Sequence, residues 1–143
     1  MPFYFLTTIK LACVNAKKSL MILVAGPYRS GTADDPQKIA ANVKAMTDTA
    51  LEIYRMGHLP VLGEWFALPL IEAAGSKETG DEIFNEIFHP LAVQLIDHCD
   101  AVLRIGGASA GADEMIKTGK EKGKIIFFSK EEIPKLKEEN ALA

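Results

Sequence analysis

Four short stretches hold the side chains whose types and spacing suit chemistry. Gly26-Pro27-Tyr28-Arg29-Ser30-Gly31-Thr32 places an aromatic ring, a guanidinium, two aliphatic hydroxyls and two glycines within seven residues. That mixture suits a phosphate, or a sugar with a base stacked nearby. The plain alternative is a polar surface loop with Arg29 solvated and Tyr28 packed. Gly106-Gly107-Ala108-Ser109-Ala110-Gly111-Ala112 reads as a glycine-rich turn from a strand into a helix. Free backbone N–H groups at such a turn favour an anion. Asp113 and Glu114 follow in the helix's first turn, as site acids or as acids that complement the helix dipole. Gly63-Glu64-Trp65 offers a carboxylate and a large ring. Glu64 is a second pocket acid or a helix-start acid, and Trp65 a base-stacking platform or a core anchor. His89, beside Pro90, is a ligand contact or a structural histidine.

The elements that must position these residues follow from the apolar pattern. Leu20–Ala25 is a continuous apolar run, as a buried parallel strand requires. Asp35 and Pro36 start a helix, and Ile39, Val43, Met46, Ala50, Ile53 and Tyr54 give it one apolar face up to Met56, where Gly57 ends it. His58–Leu62 is a second strand, followed by a short helix over Ala67–Ala74 with Pro69 in its first turn. A longer helix runs from Asp81 to His98, and Pro90 predicts a kink or break near Phe88. Ala101–Ile105 is the third strand. Its following helix is capped by Ser109, buries Ala112, Met115, Ile116 and Gly119, and ends near Gly123. Lys124–Phe128 is the fourth strand, and Glu131–Glu139 a short charged helix or tail. Strands alternating with helices give a parallel sheet covered on both faces. Ligands of such sheets bind in loops at the carboxyl ends of the strands, where Arg29, Glu64 and Ser109 all fall.

The chain has 143 residues, 48% hydrophobic and 24% charged, which fits a single globular domain with a real core. Its net charge of −3 favours neither a nucleic-acid backbone nor an anionic membrane. Cys13 and Cys99 have no metal-ligand spacing and read as small apolar residues in a reduced, cytoplasmic setting. No stretch approaches the roughly 20 apolar residues that span a bilayer, and the apolar start lacks a signal peptide's basic region. Residues 1–20 read as an extension, an extra strand or a disordered leader, ahead of one domain over residues 21–143.

Val24-Ala25-Gly26-Pro27-Tyr28-Arg29-Ser30-Gly31-Thr32, the Cys99-Asp100-Ala101-Val102-Leu103 strand start and Gly106–Ala112 together resemble the nucleoside 2-deoxyribosyltransferase-like superfamily. The match spreads over roughly residues 21–133. The resemblance implies a flavodoxin-like, doubly wound three-layer α/β fold with a parallel sheet of about five strands, assembled as a homodimer or higher homo-oligomer. It implies chemistry at the N-glycosidic bond of a (deoxy)nucleoside or its 5′-monophosphate, by a glutamate nucleophile and with no metal or other cofactor. On this basis Glu114 is the nucleophile, assisted by Asp113, His89 or Glu64. Gly26, Tyr28, Arg29, Ser30 and Gly31 hold the sugar and phosphate, with Trp65 nearby. Gly107, Ser109 and Gly111 contact the phosphate or 5′-hydroxyl from the other side. The chain departs from the family twice. Met115 stands where the glutamate is expected, one residue and about 100° of helix past Glu114. Ala92 stands where an aspartate is expected.

Two functions are compatible with these residues. One is an enzyme that hydrolyses or transfers at an N-glycosidic bond. The other is a non-catalytic nucleotide- or nucleotide-sugar-binding protein on the same fold, which the two departures favour.

Overall fold

The computed structural model describes residues 18–136. The expected extension, up to residue 17, lies outside the described residues. Lys18–Leu20 lead directly into the first strand, and Leu20 is already buried.

The elements run β1 (Met21–Ala25), α1 (Pro36–Arg55), β2 (Leu59–Val61), α2 (Gly63–Ala73), α3 (Glu82–Ile96), β3 (Ala101–Arg104), α4 (Ala110–Glu121) and β4 (Ile125–Phe127). The strands form one parallel sheet in the order β2-β1-β3-β4. Period-two alternation sorts each strand's side chains between two cores. Ile22, Val24, Ala101 and Leu103 face Met46, Ala50 and Ile53 of α1. Leu23, Ala25 and Val102 face Ile96 of α3 and Ala112, Met115 and Ile116 of α4. The result is a three-layer α/β fold with helices on both faces. Cys99 sits in the second core, where burial pushes its thiol up to about 11 and keeps it protonated at neutral pH.

Local signals explain most helix ends. The Asp35 carboxylate accepts from the Gln37 N–H at 3.0 Å, and Pro36 opens α1. Asp81 caps α3 by accepting from Phe84 N–H at 2.8 Å, and it also accepts from Ser76 Oγ and the N–H groups of Lys77 and Glu78. These bonds hold the preceding loop and pull the Asp81 carboxyl down to about 2. Ser109 Oγ accepts from Ala112 N–H at 3.1 Å at the start of α4. Gly119 lets α4 settle onto the sheet, since a Cβ there would lie 3.0 Å from Ile126 and 3.1 Å from Val102.

The structure corrects four expectations. The sheet has four strands among the described residues, not five. After β4 the chain turns through a 3-10 segment, Lys130–Glu132, and buries Ile133 in the α1-side core. Leu136 N–H then donates to Met56 O at 2.8 Å, so the segment runs back to the end of α1 instead of adding a strand. The expected charged helix over Glu131–Glu139 is therefore only that short turn as far as Leu136. Helix α2 starts at Gly63, four residues early, which places Pro69 in its interior. Helix α3 runs unbroken through Pro90. The packing of Phe84, Ile87, Phe88 and Leu91 against Ala67 and Ile71 of α2 supports the turns on either side of the missing N–H.

His58 joins distant parts of the chain. Its Nδ1 accepts from Leu20 N–H at 3.0 Å, so the proton lies on Nε2, which donates to Pro134 O at 2.6 Å.

The β1 and β3 turns meet closely at the carboxyl end of the sheet. Gly106 has φ +79°, and a Cβ on it would lie 2.7 Å from Pro27 Cδ. Gly106→Ala combines a left-handed backbone penalty with this clash, so urea denaturation should show a loss of about 2 kcal/mol or more.

Candidate functional site

The connection from β1 to β2 covers one face of the sheet, and the path from β2 to β3 crosses back over the other. The two therefore diverge between the carboxyl ends of β1 and β3, and a crevice opens there. It holds a cavity of roughly 260 Å³. The end of β1 and Gly26 form one side, and Ser109, Gly111, Ala112 and Met115 of the β3–α4 turn form another. Gly63 and Glu64 of α2 and the first half of α3 complete it.

Among the described residues, Glu64 is the carboxyl group inside. It lies in the first turn of α2 and is 8% exposed. Its burial follows from a small-residue contact: a Cβ on Gly63 would lie 3.3 Å from Ala92 Cβ, so the start of α2 sits close against α3. An aspartate in place of Ala92 would crowd this contact. Burial raises the Glu64 carboxyl from an ordinary 4.5 to about 7, against the lowering effect of its own backbone N–H. The group is therefore near half ionisation at neutral pH, the range suited to acid–base work.

An aromatic wall stands beside it. Phe84 and Phe88, one turn apart on α3, stack with centroids 4.7 Å apart, and the Tyr28 ring lies 4.9 Å from Phe88. Burial, then the nearby Glu64 charge, raises the Tyr28 phenol above its ordinary value, while Arg29 opposes the shift. A planar ligand fits against such rings. His89 and Asn85, also on α3, supply polar atoms to the same space.

The remaining predicted site residues divide clearly. Gly26, Tyr28, Arg29, Ser30, Glu64, His89, Ser109 and Gly111 line the cavity together. The need for glycine at 26 is for packing, because a Cβ there would meet Ile105 at 3.0 Å and Met46 at 3.3 Å. Arg29 is already engaged: its Nε and Nη2 donate to the two Asp34 carboxylate oxygens at 2.9 and 3.0 Å. Gly31, Trp65, Gly107, Asp113 and Glu114 are not among the lining residues. Gly31 and Trp65 are exposed, and Gly107 O accepts from Arg104 Nη2 at 2.8 Å. Asp113 lies on the outer side of α4, where Arg104 Nε donates to it at 3.1 Å. Glu114 is exposed as well, while Met115, one residue on, is buried against the cavity. The helix rotation per residue thus separates the acid from the space it was expected to serve.

The sequence reading missed Phe84, Asn85 and Phe88 as cavity walls. The signal was present: Asn85, His89 and Ala92 recur at four and three residues, a polar and small stripe beside the apolar one. Among the described residues no cluster of His, Cys, Asp or Glu is placed to hold a metal ion, and no helix is long and apolar enough to cross a membrane. No protein-family model, curated protein or solved structure matches the chain.

The raised Glu64 value has a stability consequence. Below about pH 4.5 the carboxyl is protonated folded and unfolded, and burial carries no charge penalty. Above about pH 7 it is ionised in both states, and the folded state bears the desolvation cost. Stability should therefore fall by about 3 kcal/mol as pH rises from 4.5 to 7, relative to Glu64→Gln. Paired urea titrations of the two proteins across that window measure the difference.

Proposed function

We propose that the chain acts on the N-glycosidic bond of a nucleoside or nucleoside 5′-monophosphate, with Glu64 at the reacting centre in place of Glu114. The observation that carries this reading is the buried Glu64 carboxyl, with a value of about 7, in one cavity with a stacked aromatic wall. The strand order is that of flavodoxin-like sheets, which bind ligands in the crevice between the same two strands.

The base stacks on Tyr28, Phe84 and Phe88, and the sugar turns its anomeric carbon toward Glu64. Ionised Glu64 takes a proton from an attacking water as the oxygen–carbon bond forms and the carbon–nitrogen bond breaks. His89 hands a proton to the departing base. A second base in place of water gives transfer instead of hydrolysis. The pocket's aliphatic floor, formed by Leu23 and Ala25, keeps the carboxylate poorly solvated and basic.

The non-catalytic reading draws on a different observation: Asp113 and Glu114 face solvent, so among the described residues the cavity has one carboxylate. Incubation with pooled nucleosides and 5′-monophosphates, followed by mass spectrometry for free base, separates the two. Wild type should release base, Glu64→Gln should do so at least about 100-fold more slowly, and Glu114→Ala should match wild type. Nucleotide-induced stabilisation without any base release would establish the binding-protein reading.

A further inference from the structure

We propose that Asp34 is a built-in competitor for the oxyanion of the cavity's ligand, holding Arg29 ready at the cavity edge and yielding it to a phosphate group. The inference rests on the cavity being a nucleoside site and selects the 5′-monophosphate as the ligand that operates the exchange.

Arg29 lines the cavity yet is partly open to solvent, so it stands at the boundary between them. Its guanidinium is fixed in place. The carbon at its centre lies 6.0 Å from the Phe84 ring centroid, and Gly80 leaves room for it, since a Cβ there would lie 2.6 Å from Nη1. Asp34 occupies its fork with two parallel bonds, a geometry that a phosphate can reproduce with two of its own oxygens. Asp34 stands outside the cavity lining, so a phosphate at the cavity mouth would compete with it for the donors of this guanidinium.

The backbone is bent to put it there. Ala33 and Asp34 have φ of +51° and +60°, consecutive left-handed residues without a glycine. The loop does not depend on the ion pair for its shape. Buried Thr32 anchors it through bonds to Arg29 O, from its N–H at 3.1 Å and from its hydroxyl at 2.5 Å. The Thr32 hydroxyl also accepts from Asp34 N–H at 3.1 Å. Asn42 Nδ2 donates to Tyr28 O at 2.9 Å. The pair itself is 40% and 54% exposed, so it is weak and easily exchanged. A strained backbone supporting a weak, replaceable ion pair at a cavity edge fits a gate better than a brace.

Asp34→Asn tests this, because asparagine tolerates the left-handed backbone and lacks the charge. Binding of adenosine, adenosine 5′-monophosphate and inorganic phosphate is measured by calorimetry for wild type and variant. The monophosphate should bind Asp34→Asn about five-fold tighter, the scale of an exposed ion pair, while adenosine affinity stays the same. Adding Arg29→Gln should abolish the gain. Unchanged or weaker monophosphate binding, or an equal gain for adenosine, overturns the proposal. If neither adenosine nor its monophosphate binds wild type, and no pooled nucleoside or 5′-monophosphate does either, the nucleoside reading fails. The inorganic phosphate arm then decides the gate alone, by the same gain or its absence. Should Asp34→Asn fold poorly, Asp34→Gly relieves the positive φ and gives the same readout.

Discussion

The close meeting of two backbone turns at the carboxyl end of the sheet governs the rest of the molecule. Gly106 lies against Pro27, and Gly26 against Ile105. These contacts bring the loops after β1 and β3 within reach of one small ligand. Side chains of ordinary size would separate the turns and spread their polar groups over an open surface. The same economy of size appears at Gly63 and Ala92, which let the start of α2 sit against α3. Small residues at these contacts thus shape the crevice and set the environment of its acid.

That environment turns an unremarkable glutamate into a titrating group. At an exposed helix start Glu64 would be ionised throughout the neutral range and would serve only the helix dipole. Here the same position is covered by α3 and floored by β1, so neutral and charged forms have similar free energies near pH 7. The asymmetry with α4 is instructive. Asp113 and Glu114 also begin a helix, but their side of the helix faces solvent and Arg104. Two helix starts therefore flank the crevice, and the one whose acid lies on the side turned toward the cavity delivers it to the interior.

Much of the fold was legible in the sequence because it depends on local, periodic signals. The apolar run of β1 and the three-and-four spacing of α1 and α4 appear in the expected places, as do the caps at Asp35 and Ser109. The misplaced features depend on partners distant in the chain. Pro90 reads as a helix break until α2 is known to pack against its flanks, and Trp65, plausible as a core anchor, is 41% exposed. The site shows the same division. The loop residues Tyr28, Arg29 and Ser30 could be assigned from composition and position after a strand. The depth of Glu64 and the outward turn of Glu114 depend on helix phase and on a glycine–alanine contact between two helices, which a linear pattern does not encode.

The imidazole of His58 draws Leu20 and Pro134 to a single point at the amino end of the sheet. The start and finish of the described domain therefore lie side by side, about 16 Å of strand away from the crevice. Such a layout makes the order of the segments separable from their arrangement. A short peptide joining the two ends, with the chain reopened in an exposed loop elsewhere, would preserve both cores and leave the crevice intact.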